Sequence, residues 1–531
     1  ALSVPAAAQT AAPIAAADLR AHVEVLASDA FEGRAPGTQG EERTVRYIAE
    51  QLAAAGAEPA AADGSWFQPV GLVERTARSQ EVRWTAAGRA LPFDPANVAL
   101  QGRDAELRFE DAPVVFAGHG ARMPARGIDQ LAGADLRGAV VLVLLDGPDV
   151  EGFPSFAERV RAVTEAGAAA VIAVTGAELP WAFVTRNYRR PTIRLADQVV
   201  APVVGAMPVA AAQALVAAAG GNFERLLNDQ PGSSFRAVTL PIRADVSVTT
   251  EVETFASRNV VGRLRGSGGT GESVLYLGHW DHFGLCRPEG AEDRICNGAV
   301  DNASGIAAMI EIAERLAQGP RPARDILFLA TTAEESGLLG AEYFARHPVV
   351  PLDTIAAAIN LDTVAIHPAG EPVAVIGRGV PALDAAVDAT VAEMGRRLDT
   401  DEEAAAFVQR QDGWALMRAG VPAVMVGGSF SDMRLLQVFL TGPYHGPNDH
   451  AVPTLMLDGA AEDSNLLVEL GRLAHLAGDP QQQACLPQLH PAHRSRRCPP
   501  AHRSPRRRPV HLIHPVRPLH RDIVPESSRW A

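Results

Sequence analysis

The chain has 531 residues, 47% of them hydrophobic and 21% charged, with a formal net charge of −14. Its length exceeds what a single core usually fills, and its composition is that of a folded enzyme-like chain rather than a disordered one. The acidic balance argues against nucleic acid or an anionic membrane as the main partner, and the lack of any lysine removes Schiff-base and P-loop lysine chemistry.

Residues 1–14, with Ala6-Ala7-Ala8 before Gln9, have the small-residue character that ends a secretory signal. They are read as a signal remnant or linker, so a secreted or periplasmic protein is expected. No run approaches the ~20 apolar residues that span a bilayer, so no membrane span is expected. From Ala15 to Ala57, Leu19, Val23, Leu26, Tyr47, Ile48 and Leu52 recur at helical spacing, interrupted by Glu32-Gly33-Arg34-Ala35-Pro36-Gly37. Residues 66–109 alternate as short strands. From about 110 to 236 a separate unit of strands and helices is predicted, with strands over 139–145 and 169–174 and a helix over 156–168. Its His119 lacks acidic or histidine companions at metal-binding spacing and reads as a turn or surface residue.

After Gln230-Pro231-Gly232-Ser233-Ser234, four apolar strand-like runs each lead into polar residues. Val274–Leu277 leads to His279, Ile326–Leu329 to Glu334 and Glu335, Ile355–Ile359 to Asp362, and Val421–Val426 to Gly427-Gly428. Asp301-Asn302-Ala303-Ser304, all but the alanine suited to capping, precede an amphipathic helix through Ile306, Ile310 and Leu316. The repeated order of strand, polar edge and helix predicts an α/β fold, a mixed and mostly parallel sheet flanked by helices. Ligands collect at the carboxyl ends of such strands. Beyond Gly478 the chain turns to Pro, His and Arg. Its last fifty-one residues hold ten arginines against Asp522 and Glu526, and residues 479–531 are read as a disordered tail without a catalytic role.

Taken singly, Glu334 and Glu335 read as a helix N-terminus, Asp362 as a cap and His445 as a turn residue. Together, His279, Asp301, Glu335 and Asp362 fall at strand ends or helix starts of one edge. Two histidines and three carboxylates suit a pair of divalent ions, with one carboxylate bridging; in two-metal hydrolases such ions sit ~3.5–4 Å apart. Cys286 and Cys296 fit a local disulfide and two buried thiols equally well.

Five motifs, in this order, resemble the co-catalytic zinc aminopeptidases and carboxypeptidases, a family that includes secreted bacterial leucyl aminopeptidases and plasma glutamate carboxypeptidase. They are Gly278-His279-Trp280-Asp281-His282, Gly298 to Gly305, Glu334 to Gly340, Asn360-Leu361-Asp362 and Tyr444 to Asp449. The resemblance implies a zinc-exopeptidase-like domain in two parts, 15–109 and 237–478, around a smaller inserted α/β unit at 110–236 that looks like a protease-associated domain. It implies two Zn²⁺ per chain, with Co²⁺ or Mn²⁺ acceptable to the same ligand types. His279 and Asp362 would hold one ion, Glu335 and His445 the other, and Asp301 would bridge them. Glu334 would be the general base and Asp281 would orient His279. His282 reads as a packing or hydrogen-bonding residue beside a ligand count already filled. Gln411-Asp412-Gly413-Trp414 departs from the Ser-Asp-His-like run of many relatives, and Trp414 fits a pocket wall and a packing position equally.

The expected activity is removal of N-terminal residues from peptides with a free N-terminus. A carboxypeptidase or dipeptidase on the same scaffold, a glutaminyl cyclase-like transferase and a non-catalytic binding protein stand as alternatives. Oligomeric state is left open.

Overall fold

The computed structural model describes residues 12–148, 152–229 and 235–473. The tail expected at 479–531, the Gln230–Ser234 break and all but the last three residues of the N-terminal remnant lie outside the described residues. The described chain forms two compact units, one from the segments up to Val70 and from Ser257 onward, the other from Gly71–Ala256.

The first unit is built on a mixed sheet. Its strands lie in the order Ala374–Ile376, Ala423–Gly427, Ile355–Asn360, Ser273–His279, Asp325–Thr331, residues 260–264 of Val238–Leu264, and Glu58–Pro59. The middle four are parallel, and the outer pairings are antiparallel. Parallel strands buried on both faces need apolar residues at every position, which is why these segments read as unbroken apolar runs. Because side chains alternate across a strand, Val274, Tyr276, Phe328 and Ile359 pack on one face. There they meet the helices Ala16–Leu26, Ser304–Gln318 and Leu457–Leu473. Leu275, Leu277 and Leu329 pack on the other face with Phe344 and Leu416. From Ser273–His279 the chain moves to one neighbour, Asp325–Thr331, and then back past it to Ile355–Asn360 on the opposite side. That reversal creates a switch point at the carboxyl ends of three adjacent strands.

In the second unit, residues 238–249 of the long strand pair with Glu106–Phe116, followed by Val140–Leu144, Ala170–Thr175, Val203–Pro208 and Ala99–Gly102. Trp84, Phe116, Ile172 and Phe223 fill its core. The unit is wider than the 110–236 expected, because Ala99–Gly102 and Glu106–Phe116 are strands of its own sheet. The short strands predicted over 66–109 include one of 20 residues, Phe67–Ala86; charged residues on its half-exposed stretch break the apolar alternation without breaking the strand. Helix Phe156–Glu165 and the two strands beside it lie where the periodicity puts them. Among the described residues, no helix is long and apolar enough to cross a membrane.

A buried ionic knot secures the last parallel strand to the last helix. Asp463 accepts hydrogen bonds from the Gly428 amide at 2.7 Å and from His367 Nε2 at 2.8 Å, and its other oxygen meets Arg396 at 3.2 Å. His367 Nδ1 lies 2.8 Å from the Pro368 carbonyl, so both ring nitrogens face acceptors and the ring must be the imidazolium. Burial pulls the His367 pKa down, but the hydrogen bond to Asp463 outweighs it and leaves the pKa raised. A raised pKa contributes stability below the unfolded value of about 6.5, and this contribution fades as pH rises through the folded one. His367→Gln is therefore expected to lower the denaturation midpoint relative to the parent protein more at pH 6 than at pH 9. An equal loss at both pH values, measured by urea unfolding, would contradict the imidazolium assignment.

Candidate metal centre

His279 is the last residue of its strand and pairs in register with Thr331 of the next, so both point out of the same sheet edge. Just beyond, the Trp280 amide donates to the Thr331 carbonyl at 2.9 Å, and the wholly buried Trp280 indole donates to the Arg258 carbonyl. Asp281 then turns inward, and its Oδ1 accepts the Glu334 amide at 3.0 Å. The nearer Asp281 atom to His279 is its backbone carbonyl rather than its carboxylate. His279 Nδ1 is 3.1 Å from the Asp281 carbonyl and 3.8 Å from Oδ1.

Asp301 sits in the irregular turn Ala299–Ala303 that precedes helix Ser304–Gln318. Asp449 holds this turn by accepting the amides of Val300 and Asp301 at 3.0–3.1 Å. Gly298 has φ +56°, and a Cβ there would lie 2.2 Å from the Asp301 carbonyl oxygen and 2.7 Å from the His282 ring, so only glycine fits. Asn302 joins three elements. Its amide nitrogen donates to the carbonyls of His279 and Leu361, and its oxygen accepts the amides of Gly305 and Thr363. Of the capping residues read there, Asn302 serves the helix start, while Asp301 is turned to the site.

Glu334 and Glu335, expected at a helix start, precede helix Leu339–Arg346 in a turn. Ala333, Gly337 and Leu338 take left-handed φ values that carry this turn over the sheet edge. Asp362 lies two residues past its strand and accepts the Thr363 hydroxyl at 2.7 Å. His445, itself at φ +55°, is held by the Tyr444 ring stacked at 3.6 Å and the Phe283 ring edge at 4.6 Å.

These residues converge. His279 Nε2 lies 3.2 Å from Asp301 Oδ1 and 3.6 Å from Asp362 Oδ1. His445 Nε2 lies 3.4 Å from Asp301 Oδ2 and 3.0 Å from Glu335 Oε2. Asp301 thus offers one oxygen to each side. Two trios have ligand atoms within 4.8 Å of one another, His279-Asp301-Asp362 and His282-Asp301-Glu335. In the second, His282 Nδ1 already bonds Glu335 Oε1 at 2.6 Å, which leaves His445 Nε2 facing the free oxygens of Glu335 and Asp301. Asp281 Oδ2 and Asp412 Oδ1 are buried without hydrogen-bond partners among the described residues. A cluster of buried carboxylates and imidazoles with oxygens to spare is the donor set of a divalent-cation site, and it fits zinc.

The electrostatics point the same way. Burial, then Glu335, Asp412 and Asp362, hold the Glu334 pKa well above its usual range, with His279 opposing. Burial pushes Asp281 up to about 7 and Asp412, which accepts the Thr331 hydroxyl, up to about 6. Burial would also raise Asp301, but His279 and His445 hold it well below the carboxylate range. His445 is pushed up to about 10, since Glu335 and Asp301 outweigh its burial. The cluster carries more negative charge than its histidines offset.

The structure thus brings together His279, Asp281, Asp301, Glu334, Glu335, Asp362 and His445. Cys286 and Cys296 form a disulfide in the loop between His279 and Asp301. Sequence reasoning saw Asn302 only as a cap, not as a tie to the His279 and Leu361 carbonyls, and missed the supporting parts played by Asp449 and Asp412. Asp449 closes the last of the five motifs, which was the one signal available for it.

Residues 259–460 match Peptidase family M28. Among curated relatives, a probable lipoprotein aminopeptidase of Mycobacterium tuberculosis is 27% identical over 197 residues, which cover 35% of this chain and 37% of that protein. A glutamate carboxypeptidase 2 homolog of Caenorhabditis elegans is 30% identical over 203 residues, 36% of this chain and 24% of that protein. The chain therefore spans well under half the length of these relatives. Among solved structures, an aminopeptidase from Aneurinibacillus sp. strain AM-1 aligns with a TM-score of 0.49 at 18% identity, covering 87% of this chain and 93% of that one.

Asp301→Ala removes the carboxylate that both histidines face. The variant is expected to lose bound metal on dialysis, and two ions per chain retained by elemental analysis would contradict the shared role of Asp301.

Proposed function

We propose, from the match of residues 259–460 to peptidase family M28, that the chain is an exported two-zinc exopeptidase, an aminopeptidase acting on peptides with a free N-terminus. The observation that carries this reading is the meeting of His279, Asp301, Asp362, Glu335 and His445 around a shared carboxylate, with Glu334 beside them. His279 and Asp362 would hold one zinc ion, Glu335 and His445 the other, and Asp301 both. When bound, the ions would polarise the scissile carbonyl and make a water molecule acidic enough to attack it near neutral pH.

The chain's own residues do the rest. Glu334 Oε2 lies 3.9 Å from His279 Nε2, and its backbone is pinned by Asp281, so its carboxyl faces the reacting centre from a fixed turn. It takes a proton from the attacking water and delivers it to the nitrogen of the breaking C–N bond. Asp281, pinning Glu334 through Oδ1 and facing His279 Nδ1 through its carbonyl, keeps the base and the ligand in register. His282 orients Glu335. The Cys286–Cys296 bridge supports export, because such bonds persist in oxidising compartments.

Glu334→Gln is expected to keep its zinc and lose ~10²–10⁴-fold in turnover of aminoacyl anilides; near-normal turnover would remove Glu334 from the role of base. Peptides with free, N-blocked and C-blocked ends should be cleaved only when the amine is free. Cleavage that instead requires a free carboxylate would assign the carboxypeptidase activity.

A further inference from the structure

The sequence marks Glu32-Gly33-Arg34 only as a break between two helices, yet Arg34 is 1% exposed and lies beneath the site. Its guanidinium donates four hydrogen bonds, all to backbone carbonyls. Nε reaches Trp280 at 2.8 Å, Nη1 reaches Leu26 at 2.8 Å and Asn297 at 2.6 Å, and Nη2 reaches Gly298 at 2.8 Å. Trp280 directly follows His279, and Asn297-Gly298 shortly precede Asp301. One planar fork therefore closes the neck of the loop whose two ends carry these residues. The turn bearing it is inserted with no room to spare. Gly33 has φ +65°, and a Cβ there would lie 2.4 Å from the Cys296 carbonyl oxygen and 2.8 Å from Gly284 Cα. The Cys286–Cys296 disulfide closes the loop farther out.

We infer that Arg34 is a positioning residue for the metal centre, its fork fixing the neck of the 280–298 loop so that His279 and Asp301 are held at ligating separation. The inference rests on reading those two residues as ligands. Burial lowers the guanidinium to about 10, against the pull of Asp449, Asp301, Asp281 and Glu335, so it remains a cation at neutral pH beneath these carboxylates. Lysine would keep that charge but not the fork, and methionine would keep neither.

The test is zinc affinity, measured by chelator competition, and the visible absorption spectrum of the Co²⁺-substituted protein, for the parent, Arg34→Lys, Arg34→Met and the Cys286→Ser/Cys296→Ser pair. Partners hydrogen-bonded directly to a metal ligand typically contribute about 10–100-fold in affinity, and Arg34 acts instead through the backbone beside two of the proposed ligands, so about 10-fold marks the low end of its expected effect. Both Arg34 variants are expected to fall in that range with an altered cobalt spectrum, while the cysteine pair, which leaves the neck intact, keeps the parent's values. If the methionine variant does not fold, the lysine variant decides, since its ammonium can still meet two of the carbonyls. Parent affinity and spectrum in folded Arg34→Lys would overturn the inference, as would an equal loss in the cysteine pair. A parent protein that binds no zinc would instead overturn the ligand reading beneath it.

Discussion

The structure depends on a concentration of buried negative charge. Asp281, Asp301, Asp412 and Asp449 are each nearly inaccessible, and Glu334, Glu335 and Asp362 are gathered beside them at the end of one sheet. Withdrawing a carboxylate from water costs on the order of several kcal/mol even after relaxation, and like charges at this spacing add to that. The protein offsets part of the cost with backbone amides, as at Asp449 and Asp281, and part with His279, His282 and His445. Proton uptake, which the raised pKa values of Glu334, Asp281 and Asp412 favour, relieves part of the remainder, and divalent cations held by the grouped His279, Asp301 and Asp362 would relieve more.

A crowd of this kind needs a rigid frame, and the parallel strands provide one. Strands buried on both faces end at one sheet edge, Asn360 opposite Leu277 and Thr331 opposite His279, and the reversal of chain direction beside Ser273–His279 leaves a crevice where their polar extensions meet. Cross-ties then hold the extensions. Asn302 links the ends of two strands to the helix after Asp301, and Asp281 links the turn carrying Glu334 to the loop after His279. The candidate ligands are thus positioned by hydrogen bonds to backbone more than by their own contacts, which keeps their side-chain oxygens free for chemistry.

Much of the fold could be read from the residues. Continuous apolar runs at Val274–Leu277, Ile326–Leu329 and Ile355–Ile359 are legible as buried strands because they are short and bounded by polar or turn-forming residues, which separates them from buried helices. The polar residues that follow stand out against that background, as do His279, Asp301, Glu335, Asp362 and His445. Their supports do not stand out. Asp449 acts on an amide 148 residues away and Arg34 on a carbonyl 246 residues away, through ordinary backbone groups that leave no spacing to detect. Glu334 and Glu335 looked like a helix start because acidic pairs favour that position. The left-handed Ala333 and Leu338 that lift them over the site have no signature in residue type. Phe67–Ala86 was equally hard to see as one strand, since partial exposure lets charged residues interrupt its alternation.

The central claim is that one shared carboxylate organises two cation sites from side chains delivered by separate strand ends. Anomalous diffraction at the zinc absorption edge from crystals of the zinc-loaded protein tests it most directly. The account predicts two peaks per chain, both against Asp301, one bounded by His279 and Asp362 and the other by Glu335 and His445. A single peak, or a second one held away from Asp301, would contradict it.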